Sequence, residues 1–101
     1  MLSKTFQYAV VPDHASISDM GEVLMDVGFE PDGDQEYVKE VLNWKAVRAE
    51  VKKDEILFSF YWPGSSVTSK YYEYLLHCGM LLEKIRLRLT QCPPKQLESD
   101  G

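Results

Sequence analysis

The chain has 101 residues, 45% hydrophobic and 12% aromatic, and a net charge of −5. That length suits one domain burying roughly 65% of its unfolded surface, enough for a core without metal or disulfide. The composition excludes a disordered chain, and the negative balance disfavours direct contact with nucleic acid or anionic lipid.

Residues 5–11, TFQYAVV, alternate. Phe6, Tyr8 and Val10 point one way and Thr5, Gln7, Ala9 and Val11 the other, which predicts a strand closed by Pro12. The segment HASISDMGEVLMDVGFEP follows. Ser16 or Ser18 is placed to cap a helix there, with Asp19 and Glu22 in its first turn, where the dipole favours anions. Ile17, Met20, Val23, Leu24 and Val27 make its apolar stripe; Gly28 supplies a left-handed C-cap and Pro31 blocks continuation.

A turn at residues 32–34, DGD, comes next. At 100° per residue, Tyr37, Val38, Val41 and Leu42 cluster on one side, which predicts a short helix over 35–43. Lys45, Arg48 and Lys52 would fall inside that apolar face if the helix continued, so a strand over about 45–52 replaces it. After the polar turn KKDE, a second strand, ILFSFYW, pairs back. A four-residue loop sets Val51 opposite Ile56, Ala49 opposite Phe58 and Val47 opposite Phe60, so both apolar faces coincide.

Pro63-Gly64 breaks this strand, and Ser65 or Ser66 is placed to cap a final helix over about 67–91. Val67, Tyr71, Tyr74, Cys78, Leu81, Ile85 and Leu89 recur every three or four residues, the strongest periodicity in the chain. The expected architecture is α+β, in the order β-α-(α)-β-β-α. It is a small three-stranded, largely antiparallel sheet with helices on one face and a long C-terminal helix. Residues 1–92 form the domain and 93–101 a polar flexible tail.

Cys78 and Cys92 would lie about 21 Å apart along the last helix. A bridge needs Cα atoms within about 7 Å, so a reducing, cytoplasmic setting is expected. No signal peptide is legible, and no run approaches the ~18 apolar residues of a membrane span.

Charge is distributed unevenly. No Lys or Arg occurs between Lys4 and Lys39, whereas eight of the 16 acidic residues do. Natural surfaces usually intersperse both signs. Asp19, Glu22, Asp26, Glu30, Asp32, Asp34 and Glu36 are therefore the candidate partner-binding residues, facing a basic protein. The same residues also read as solvated surface that keeps the protein soluble.

Metal binding and catalysis have less support. Asp32, Asp34 and Glu36 match the first three ligands of a calcium loop, but its sixth position holds Tyr37 and its twelfth Asn43. His77 and Cys78 are adjacent, so on a helix they diverge by about 100° and do not chelate together. No nucleophile elbow, phosphate loop or dinucleotide fingerprint occurs. No metal, cofactor or catalytic residue is assigned. A small enzyme would need His14 or His77 beside a carboxylate in a pocket.

The last helix has a second apolar face. Tyr72, Leu76, Met80 and Leu87 lie off the core stripe with Gly79 among them; either the sheet and the first helix wrap this side too, or it is a candidate dimer or partner face. Two functional expectations follow. One is a non-catalytic protein-binding module, an inhibitor or immunity-type protein docking on a basic surface of a nucleic-acid-processing enzyme or toxin. The other is a homodimeric structural or assembly subunit joined through this helix.

Overall fold

The computed structural model describes residues 4–64 and 68–91. It contains one five-stranded antiparallel sheet and two helices. The strands are β1 (Lys4–Val10), β2 (Glu30–Pro31), β3 (Glu36–Val41), β4 (Trp44–Val51) and β5 (Ile56–Trp62); the helices are α1 (Ile17–Asp26) and α2 (Ser69–Gln91). Strand order is β1-β5-β4-β3-β2, so β2 to β5 meander and β1 adds beside β5.

The α+β class agrees with the sequence, but the three-stranded sheet is corrected to five strands and the three helices to two. The error lies at residues 35–43, which form β3 and not a helix. Tyr37, Val38, Val41 and Leu42 fit a helical face, yet four of β3's backbone positions pair regularly with β4, Glu36 opposite Glu50 through Lys39 opposite Val47. An irregularity between Lys39 and Glu40 then shifts the register, so that Glu40 faces Lys45 and Val41 faces Trp44. Ala46 is the extra residue on β4. This bulge explains why Ala46 and Val47, neighbours in sequence, are both buried. The β3–β4 turn also escaped notice. Leu42 and Asn43 adopt φ of 54° and 76°, the backbone of a tight hairpin turn, without the Asn-Gly pair that advertises one.

Other local expectations hold. Ser16 is the N-cap of α1; its hydroxyl accepts from the Asp19 N–H, and the Asp19 carboxylate accepts from the Ser16 N–H, each at 3.1 Å. Gly28, with φ of 108°, closes the other end. Its N–H donates to Met25 O, and the Phe29 N–H reaches back to Leu24 O, a left-handed helix stop. The β4–β5 register pairs Val51 with Ile56, Ala49 with Phe58 and Val47 with Phe60, as the alternation predicts. β1, whose place the sequence left open, runs antiparallel to β5 with Phe6 opposite Phe60. The serines at 65 and 66 and the tail at 93–101 lie outside the described residues.

One face of the sheet carries the core. Ile56, Phe58, Phe60 and Trp62 of β5 join Val47, Ala49 and Val51 of β4, beneath Met20 and Leu24 of α1 and Tyr74, Cys78, Leu81 and Ile85 of α2. Trp44, Trp62, Tyr71 and Tyr74 form an aromatic cluster at the start of α2, with ring centroids 5.2–5.5 Å apart. The Tyr74 hydroxyl donates to Ala46 O at 3.4 Å. The opposite face is mixed: Gln7, Arg48, Glu50 and Ser59 share it with Leu57, Tyr61 and the buried Val38. Among the described residues, no helix is long and apolar enough to cross a membrane.

Candidate functional site

The acidic stretch wraps the β2 edge of the sheet and presents no single plane. Asp19, Glu22 and Asp26 lie on α1, Glu30 on β2, Asp32 and Asp34 in the turn after it, and Glu36 on β3. Glu36 and Val38 pair with Glu50 and Arg48, which puts Glu36 on the face away from the helices.

Cations from distant segments reach several of these carboxylates. Arg48 of β4 donates to Asp32 at 2.8 Å and to Glu36 at 3.2 Å. These hydrogen bonds, the one to Asp32 first, hold the guanidinium above its ordinary pKa. Arg88 of α2 donates to Asp26 at 2.8 Å and ties the two helices together. Asp19 serves the capping box. Glu22, Glu30 and Asp34 are exposed, with no cationic partner among the described residues. Sequence reading missed Arg48 and Arg88 as partners because each acts across a gap of 12 or more residues.

The face of α2 turned away from the core is left uncovered by the sheet and by α1. Tyr72, Leu76 and Met80 are 62%, 63% and 61% exposed, and Leu87 is 41% exposed. On a helical wheel they point directly away from the stripe of Tyr74, Cys78, Leu81 and Ile85. Leu75 and Gly79 adjoin them and carry the apolar surface round toward β1. Glu73, His77 and Lys84 run along one side of the strip and Arg86 along the other, while Glu83, paired with Arg86, interrupts it between Met80 and Leu87. Isolated exposed apolar side chains are ordinary; a run at positions i, i+4 and i+8 is a patch.

Titratable groups elsewhere are placed as follows. His14 lies at the surface, 3.8 Å from Asp13, and His77 is half-exposed, 3.8 Å from Glu73. His77 also lines an open cleft of about 390 Å³ with Lys39, Glu40 and Lys84. Cys78 is buried beneath α2, and burial pushes its thiol up to about 11, against the opposing hydrogen bond with Tyr74. Burial raises the Tyr74 phenol as well. Among the described residues no three His, Cys, Asp or Glu side chains gather as a metal site.

A second apolar surface has no counterpart in the sequence reading. Phe6 and Tyr8 of β1 face the helix side of the sheet, yet Tyr8 is 53% exposed. Between them and α2 lies a groove of about 250 Å³. The available signal was a strand with no charged residue after Lys4, which is unusual for a sheet edge. Comparison with known protein families, characterised proteins and solved structures returns no match.

Proposed function

We propose that this chain is a non-catalytic protein-interaction module working through the outer face of α2, with a second copy of itself as the simplest partner. The observation that supports it is the row Tyr72, Leu76 and Met80, each more than 60% exposed on one helical face. Burying such a row removes apolar area from water at about 25 cal/mol per Å² before the costs of association.

Charge favours a second copy in antiparallel orientation. If two α2 helices cross with a two-fold axis between Cys78 and Gly79, Glu73 lies opposite Lys84 of the second copy, and Leu75 opposite its Leu82. The same patch then serves both subunits, as a two-fold interface requires. Gly79 beside the axis lets the backbones approach closely. Leu76→Glu or Met80→Glu is expected to yield monomers in analytical ultracentrifugation. A wild-type protein that stays monomeric at its highest soluble concentration rejects the reading.

A second reading keeps the acidic flank. An inhibitor or immunity-type protein docking on a basic enzyme or toxin would use Glu22, Glu30 and Asp34, the three exposed carboxylates without a cationic partner among the described residues. Reversing all three to Lys should slow association with a basic partner, and added salt should mimic the effect. An unchanged association rate removes this reading and leaves the helix face standing.

A further inference from the structure

The cleft of about 390 Å³ opens where the C-terminal end of α1, the β3–β4 turn and the middle of α2 meet. Val41, Leu42 and Leu81 give it apolar surface, and its ionisable groups are Lys39, His77, Lys84 and Glu40. Three of those four are basic, in a chain whose net charge is −5. Glu40 lies opposite Lys45 on β4, so a cation outside the cleft faces it across the strands.

Lys39 is placed unusually. It pairs with Val47 on the helix side of β3, where its neighbours Tyr37 and Val41 pack against the core. An ammonium set there is costly unless something polar meets it. Its Nζ rests over Gly28, close enough that a Cβ built on the glycine would lie 2.6 Å away. α1 has no basic residue in its own last turn, and the carbonyl end of a helix favours a cation. The helix end thus holds Lys39 in place at the cleft wall. Neither Lys39 nor Lys84 has an ion-pair partner among the described residues. Leu42 adds a second sign. Its φ of 54° is an outlier for a bulky side chain, and Asn-Gly would make the same turn without strain. With leucine the turn presents apolar surface to the cleft and packs against the core as well. Strain of this kind is kept where a site needs the side chain.

We propose that this cleft binds a small organic anion, a carboxylate or phosphate carried on an apolar body roughly one to two aromatic rings in size. The body lies on Val41, Leu42 and Leu81, and the head group accepts charge-assisted hydrogen bonds from Lys39 and Lys84. Lys84 is shared with the helix contact proposed above, whereas Lys39 and Leu42 lie outside it. The site therefore does not rest on that contact, and a monomeric parent leaves it untouched.

The test titrates the whole protein with naphthoate and with phenyl phosphate, following amide chemical shifts. Neutral naphthylmethanol and inorganic phosphate serve as controls. At least one organic anion should give saturable shifts centred on residues 39–42 and 77–84, and the stronger of the two identifies the head group. Each control should bind at least about tenfold more weakly, because one lacks the charge and the other the apolar body. Lys39→Met should lose about tenfold in affinity while its amide spectrum away from the cleft stays that of the parent. Leu76→Glu, which disrupts the helix contact and does not line the cleft, should bind within about twofold of the parent. Naphthylmethanol binding as well as naphthoate would reduce the cleft to an apolar dent, and would overturn the proposal. Inorganic phosphate binding as well as either organic anion would reduce it to surface charge, with the same consequence. Parental affinity in Lys39→Met, binding lost only in Leu76→Glu, or no saturable shifts with either organic anion would overturn it too.

Discussion

The two edges of the sheet are finished differently. At one edge β2 is two residues long, carries Glu30 and Pro31, and is followed by an ion pair from Asp32 to Arg48. Short length, charge and a missing N–H each discourage another strand from joining. At the other edge β1 runs for seven residues with aromatic side chains on its inner face. The β2 half adds the Arg48 and Arg88 ion pairs to buried Phe29 and Val38, whereas the β1 half rests on rings: Tyr8 on Phe60 with centroids 5.8 Å apart, and Trp62 on Tyr71 and Tyr74. Two edges of one sheet thus have opposite policies toward strangers, and the difference is set by a handful of side chains.

The sharpest way to break the contrast is to remove a ring. Phe60→Ala takes away the residue that touches both Tyr8 and Phe58. It should lower the unfolding free energy by about 3–5 kcal/mol in urea titration. Next comes alkaline pH, acting on the helix that packs on the same half. The Cys78 thiol rises from 9.0 to about 11 in the folded chain, so between those values the native state keeps a proton that the unfolded state loses. Stability is therefore fully present below pH 9 and falls as pH climbs toward 11, by about 2–3 kcal/mol at most. Cys78→Ala should flatten that decline in pH-dependent denaturation curves; an equally steep decline assigns it to other groups.

Smaller effects belong to the β2 half. Ser16→Ala removes one arm of the capping box that starts α1 and should cost about 1 kcal/mol by thermal denaturation. Arg48→Met frees Asp32 and Glu36, and because the side chains are about half-exposed the loss should stay below about 1 kcal/mol. Its signature is local: amide exchange in β2 and β3 should quicken in the variant. About 1 M salt should do the same to the parent while leaving β1 unaffected.

Much of this architecture was legible because its signals are local. Ser16 and Gly28 bracket α1 through their own hydrogen-bonding and backbone geometry. The alternation in β4 and β5 admits one register with both apolar faces together. The two apolar stripes of α2 follow from one angular count, so its outer face was readable as a candidate surface. The groove was not, because it is made by β1, β5 and α2, and nothing local says that β1 lies beside β5.

By itself, then, the sequence determined α1, the β4–β5 hairpin, the run of α2 and its greasy outer side, since each follows from contacts or periodicities within a few residues. Only the tertiary structure decided that residues 36–41 are a strand, because their pattern satisfies a helix equally well until β4 supplies hydrogen bonds and a bulge. It also decided which carboxylates are neutralised, because Arg48 and Arg88 reach them across folds of the chain that no local pattern encodes.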